Sequence, residues 1–149
     1  MIRVELAPGR DGETRPLADA EVRYENAVNS RKAVATASGG IRFSRDAQAV
    51  KDSVNIPVAT EYTRNENALE LARAVKLADE GQREEAAAVM RQSAARLRAA
   101  ASTLAAPALA EDAERQEGRA RAVTRGGLDN ASRKSIVTDN YMIYNQQQQ

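Results

Sequence analysis

Residues 68–104 read ALELARAVKLADEGQREEAAAVMRQSAARLRAAASTL, and this stretch decides the fold. Tyr62, Leu69, Ala72, Val75 and Ala78 follow three- and four-residue steps into it. Asp79-Glu80-Gly81 then stops the helix, and Ala86, Val89, Met90, Ala94 and Leu97 resume the stripe. The pattern predicts two antiparallel helices packed face to face. Alanines on the facing sides let the axes approach closely, and Gly81 supplies the positive φ that reverses the chain.

Upstream, the period is two rather than three or four. Ile2, Val4 and Leu6 alternate with Arg3 and Glu5, and after a loop from Pro8-Gly9 to Pro16, Ala18, Ala20, Val22 and Tyr24 alternate with charged residues. Lys32 to Ala37 reads as a weaker strand, Gly39-Gly40 punctuates it, and Ile41 to Ser44 offers another. Val54, Ile56 and Val58 alternate once more, with Pro57 confining that strand to a sheet edge or its own end. Downstream, Pro107 opens a third helix from Ala108 to about Val123 carrying Leu109 and Ala113, which Gly118 and the Gly126-Gly127 pair weaken or end. Asp129 caps a last helix with Val137, Tyr141 and Tyr144 on one face. The expected class is therefore α+β: a small antiparallel β-ribbon or partial sandwich over residues 1–58, a helical hairpin and helical tail over 59–145, and a disordered Gln tail at 146–149.

The 149 residues suit one domain with a core of its own, but a thin one, since the chain holds one Phe, four Tyr and no Trp. Each buried alanine removes little area from water, so an open-edged ribbon and Ala-rich helices are expected to self-associate or to need a partner. Lys and Arg number 22 against 21 Asp and Glu, leaving no long-range field for nucleic acid or anionic lipid. With no Cys and no His there is no disulfide, no thiolate or imidazole metal ligand and no Ser-His-Asp triad. The alternating start is not a signal peptide and no run of about 18 apolar residues exists, so a soluble protein is expected, with the cytoplasm favoured.

No nucleophile and base can be paired, and the expectation is a protein without enzymatic activity, cofactor or metal. Arg91, Arg96, Arg98, Arg115, Arg119, Arg121 and Arg125 are interleaved with carboxylates and lack aromatic stacking partners, which predicts a solvated helix face rather than a phosphate stripe. Glu84-Glu85 and Glu111-Asp112 sit where carboxylates complement a helix start. The candidate partner-binding residues are Met90 and Leu97, beside a groove that could take a peptide or helix, and Val137, Tyr141 and Tyr144. For Tyr141 and Tyr144, packing of the tail onto the hairpin is the competing expectation.

Gly81 followed by Ala86 and Met90 resembles the inter-helix turn of one tetratricopeptide unit, although Glu70, Arg73, Ala74 and Arg98 depart from that repeat and no second copy follows. A longer resemblance runs through Leu17-Ala-Asp-Ala-Glu-Val-Arg-Tyr24, Asp52-Ser-Val-Asn55, Leu71-Ala-Arg-Ala74 to Gly81, Glu84-Glu-Ala-Ala87 and Arg133-Lys134 before Tyr141. This order is similar to the C-terminal region of bacterial von Willebrand factor A domain proteins, where a β-rich segment and a helical tail follow a metal-binding A domain. The adhesion motif D-x-S-x-S of that A domain is absent, and Asp46 and Asp52-Ser53 do not reproduce it, so metal binding is not carried over. The resemblance implies a structural and interaction module that adjoins an A domain. A stand-alone helical-hairpin adaptor is the alternative.

Overall fold

The structure, a computed structural model, describes residues 4–145. Among these residues the class is α+β, a two-stranded antiparallel ribbon followed by five helices, and the chain divides between Val54 and Asn55 into two compact units. The Gln tail expected at 146–149 and the start of the expected first strand, Ile2, lie outside the described residues.

In the first unit β1 (Thr14–Asn26) pairs with β2 (Arg31–Arg42), with Ala20 opposite Ala37, Val22 opposite Ala35 and Tyr24 opposite Ala33. The register shifts between Pro16 and Ala18, which leaves Leu17 as an extra residue and twists the ribbon locally. Its turn closes through Ser30 N–H donating to Asn26 O at 2.8 Å and Val28 N–H donating to Asn26 Oδ1 at 2.9 Å. At the open end, Gly12 N–H donates to Phe43 O and Phe43 N–H to Glu13 O, both at 2.8 Å. The Phe43 ring lies so close to Gly9 that a Cβ there would fall 2.3 Å from it, and the Arg15 guanidinium stands 4.8 Å from the ring centroid on the way to Ala7 O. A short α1 (Ala47–Asp52) follows, its first N–H groups accepted by the Asp46 side chain.

Two strand expectations change here. Val4 and Leu6 lie outside any strand, and Ile41 belongs to β2 itself, because Gly39 and Gly40 continue the ladder opposite Ala18 and Pro16. A Cβ on Gly40 would stand 3.2 Å from Arg15 O, so this glycine marks a close backbone approach within the strand rather than its end.

The second unit begins where a last strand was expected. Val54, Ile56 and Val58 form no strand: Asn55 accepts the Val58 N–H through its side chain and Pro57 occupies the first turn of α2 (Ile56–Asp79). A missing N–H costs nothing in that turn, so the proline that demotes a strand suits a helix start. Gly81, at φ 83°, reverses the chain into α3 (Arg83–Leu104), as the hairpin reading requires. Ala105 ends α3 in the left-handed region at φ 50°, and Pro107 opens α4 (Pro107–Gly126), which continues through Gly118. Asp129 accepts the Ser132 N–H at 2.7 Å and starts α5 (Asn130–Tyr144).

Helices α2, α3 and α4 pack in sequence, and α5 returns to lie on α2. The core has two parts. One gathers Leu71, Ala74, Met90, Ala120, Val123 and Ile136, and the other Leu97, Ala106, Leu109 and Ala113. Along α3 and α4 the buried residues between the two parts include polar Ser93 and Gln116 beside Ala94, and Ser93 donates to Asn67 Oδ1 on α2 at 2.6 Å. Of the expected hairpin stripe, Ala86, Met90, Ala94 and Leu97 are buried, whereas Leu69 is exposed and the inward face of α2 is Ala68, Leu71 and Ala74.

Candidate interaction surface

Pairing in β1 and β2 places Ala18, Ala20, Val22 and Tyr24 on one face, opposite Gly39, Ala37, Ala35 and Ala33, and sends Asp19, Glu21, Arg23, Glu25 and Lys32 to the other. One side is thus apolar and shallow, and the other is charged along β1 and carries Val34, Thr36 and Ser38 beside Lys32 along β2. Among the described residues of its own unit, none buries the apolar side: Val22 is 58% exposed and Tyr24 51%. A two-stranded ribbon also leaves a row of unpaired main-chain groups along each outer edge. The turn end is hydrated, with Val28 almost fully exposed. The opposite end is anchored by the Phe43 knot, where Glu13 accepts from Arg15 Nε at 2.5 Å and from Arg10 N–H at 2.8 Å. The Arg15 hydrogen bond, followed by that from Arg10, holds the Glu13 carboxyl below the ordinary range.

In the helical unit, Met90 and Leu97 are fully buried, one in each part of the core, and Leu97 also lines a cleft of about 280 Å³ between α2 and α3 with Asn67, Glu70 and Ser93. Val137, Tyr141 and Tyr144 do share a face of α5, but not the packed one. They are 62%, 59% and 48% exposed, while Ile136 and Asn140 point inward with Ile143 half-buried behind them. The tail does pack on the hairpin, through α2, but Tyr141 and Tyr144 do not carry that contact. Ile136, Asn140 and Ile143 keep the same spacing one residue earlier and form the face that meets α2. Partial burial raises the Tyr144 phenol above its ordinary value.

The arginines stitch helices together rather than lining a phosphate stripe. Arg96 pairs with Glu70 across α2 and α3, Arg98 with Glu114 and Glu117 across α3 and α4, and Arg64 with Asp112 across α2 and α4. Arg119 pairs with Asp139, and Arg133 with Asp79, to hold α5. The more exposed of these pairs, Arg96–Glu70 and Arg98–Glu114, contribute about 0–1 kcal/mol each and orient the helices more than they stabilise them, whereas Arg64–Asp112 is part-buried. Among the described residues, no cluster of three or more carboxylates is placed to hold a metal ion, and no helix is long and apolar enough to cross a membrane.

Gln116 escaped the sequence reading. It occupies the inward stripe of α4 with Leu109, Ala113, Ala120 and Val123, spaced by three and four residues, and is 1% exposed. A polar residue on an otherwise apolar stripe was the signal, visible once the helix face is drawn. No protein-family model, curated protein or solved structure matches the chain.

Proposed function

We propose that the chain is a non-catalytic interaction module whose β-ribbon completes the β-layer of an adjoining protein domain. The observation that carries this reading is the uncovered apolar side of β1 and β2, from Ala18 to Tyr24 and from Ala33 to Gly39, beside two open strand edges. Alanines along β2 make a flat shelf that bulky side chains of an opposing sheet fill without clash. The charged residues of the other face keep that side in water and orient the docking. The resemblance of this segment order to the C-terminal region of von Willebrand factor A domain proteins supports an A domain as the neighbour. Val137, Tyr141 and Tyr144 offer a second apolar patch to a protein partner. The balanced charge and the pairing of the arginines favour protein over nucleic acid.

The test is amide hydrogen exchange over residues 14–42, measured on the chain alone and mixed with the domain encoded immediately upstream of it. Slowed exchange in both strands, abolished by Val22→Glu combined with Tyr24→Glu, supports the proposal. Unchanged exchange, or protection that survives the double substitution, overturns it.

A further inference from the structure

A cleft of about 440 Å³ opens between α2, α4 and α5, within the size range of sites that hold small molecules. Its floor contains Gln116, 1% exposed, and Asn140, 8% exposed. Neither amide atom of Gln116 has a hydrogen-bond partner, and Asn140 Oδ1 has none either, although Asn140 Nδ2 donates to Ala68 O. Leaving a buried polar atom unpaired costs about 1–3 kcal/mol, and native cores hold few such atoms. Here three converge on one cleft.

Around the amides the charges are already satisfied. Arg64 donates to Asp112 and Glu61, Arg115 to Asp112, and Arg119 to Asp139, so guanidiniums and carboxylates match in number. An anion or a cation would have to break one of these pairs. Leu71, Met142 and Ile143 supply an apolar wall. What is missing is a neutral group that donates and accepts side by side at the floor, with a second donor for Asn140 Oδ1. A primary carboxamide has that pattern: its N–H groups face Gln116 Oε1 and Asn140 Oδ1, and its carbonyl accepts from Gln116 Nε2.

We propose that this cleft binds a small molecule of no net charge that carries a primary carboxamide on a flat or aliphatic body, with the carboxamide seated against Gln116 and Asn140. The Gln116 amide has almost no accessible surface in the ligand-free chain, so seating the carboxamide against it requires the side chains above the floor to part. The site belongs wholly to the helical unit and is independent of what the ribbon docks against.

The experiment is a titration of the full chain, followed by ¹⁵N-correlated NMR, with benzamide and with its charged counterpart benzoate. Saturable shifts of the Gln116 and Asn140 side-chain amides with benzamide, and binding of benzoate weaker by about tenfold or more, are expected for a site built to pair with an amide. Gln116→Leu should weaken benzamide by a similar factor while far-UV circular dichroism stays native, and Gln116→Met serves if the leucine variant does not fold. A cleft that holds water only, seen as no saturable shift up to the solubility limit, overturns the proposal. Equal binding of the two probes, or full benzamide binding by a folded Gln116 variant, overturns it too.

Discussion

Asn140 on α5 donates its side-chain amide to the main-chain carbonyl of Ala68 on α2 at 3.1 Å, across 72 positions of sequence. Together with Ile136 and the Arg133–Asp79 pair it fixes the last helix on the first helix of its unit. Asn140→Ala removes this buried tie and should cost about 1–2 kcal/mol. A urea midpoint equal to that of the parent chain would contradict it. Exchange of α5 amides should accelerate more than that of α3.

Gln116 stands in a stripe that is otherwise apolar, with both amide atoms unpaired. Gln116→Met keeps the length of the side chain and removes the buried polar atoms, so the ligand-free unit should gain about 1–2 kcal/mol. A lowered unfolding midpoint would show that the amide is satisfied in solution.

The two ends of α3 make opposite predictions. Gly81 sits at φ 83° with open space where a Cβ would go, so Gly81→Val should cost about 1–3 kcal/mol through backbone strain alone. Ala105 takes φ 50° with a Cβ present, and Ala105→Gly should stabilise by about 0.5–1 kcal/mol by relieving it. Denaturant titration of the two variants moves the midpoint in opposite directions if both readings hold.

The hydrogen bond from the Ser132 main chain, then that from its side chain, depresses the Asp129 carboxyl below the ordinary range. The folded state therefore binds this proton less readily than the unfolded one. Its contribution is fully present above the ordinary carboxylate range and is lost as pH falls through the lowered value. Thermal melts from pH 7 down to pH 2 should show a steeper acid loss in the parent chain than in Asp129→Ala. Identical slopes would remove Asp129 from the cap.

Period and punctuation made the helical unit legible. Gly81, Pro107 and Asp129 act where their chemistry requires, and the hairpin lies where the three- and four-residue steps place it. Alternation misled at Val54, Ile56 and Val58, because three residues fit a strand or the first turn of a helix equally well, and Asn55 with Pro57 decides for the helix. In α5 the aromatic stripe drew attention away from Ile136 and Asn140. Shifting a stripe by one residue turns it about 100° around the helix without changing its period. Of the cleft, only the charges of its rim are legible in sequence: the pairing of Arg119 with Asp139 and of Arg64 with Asp112 depends on how α2, α4 and α5 come together.

Among the described residues, eight of the fifteen buried apolar ones are alanine, and this carries a calorimetric consequence. The heat capacity of unfolding grows with the apolar area exposed, at about 0.45 cal/K/mol per Å². A core built on single methyl groups exposes less of it than a core of leucines. The stability curve of the helical unit is accordingly shallow, crossing zero at a low angle on the temperature axis. Each small change in free energy, from a side chain or a bound molecule, then displaces the melting temperature further than it would in a richly packed domain.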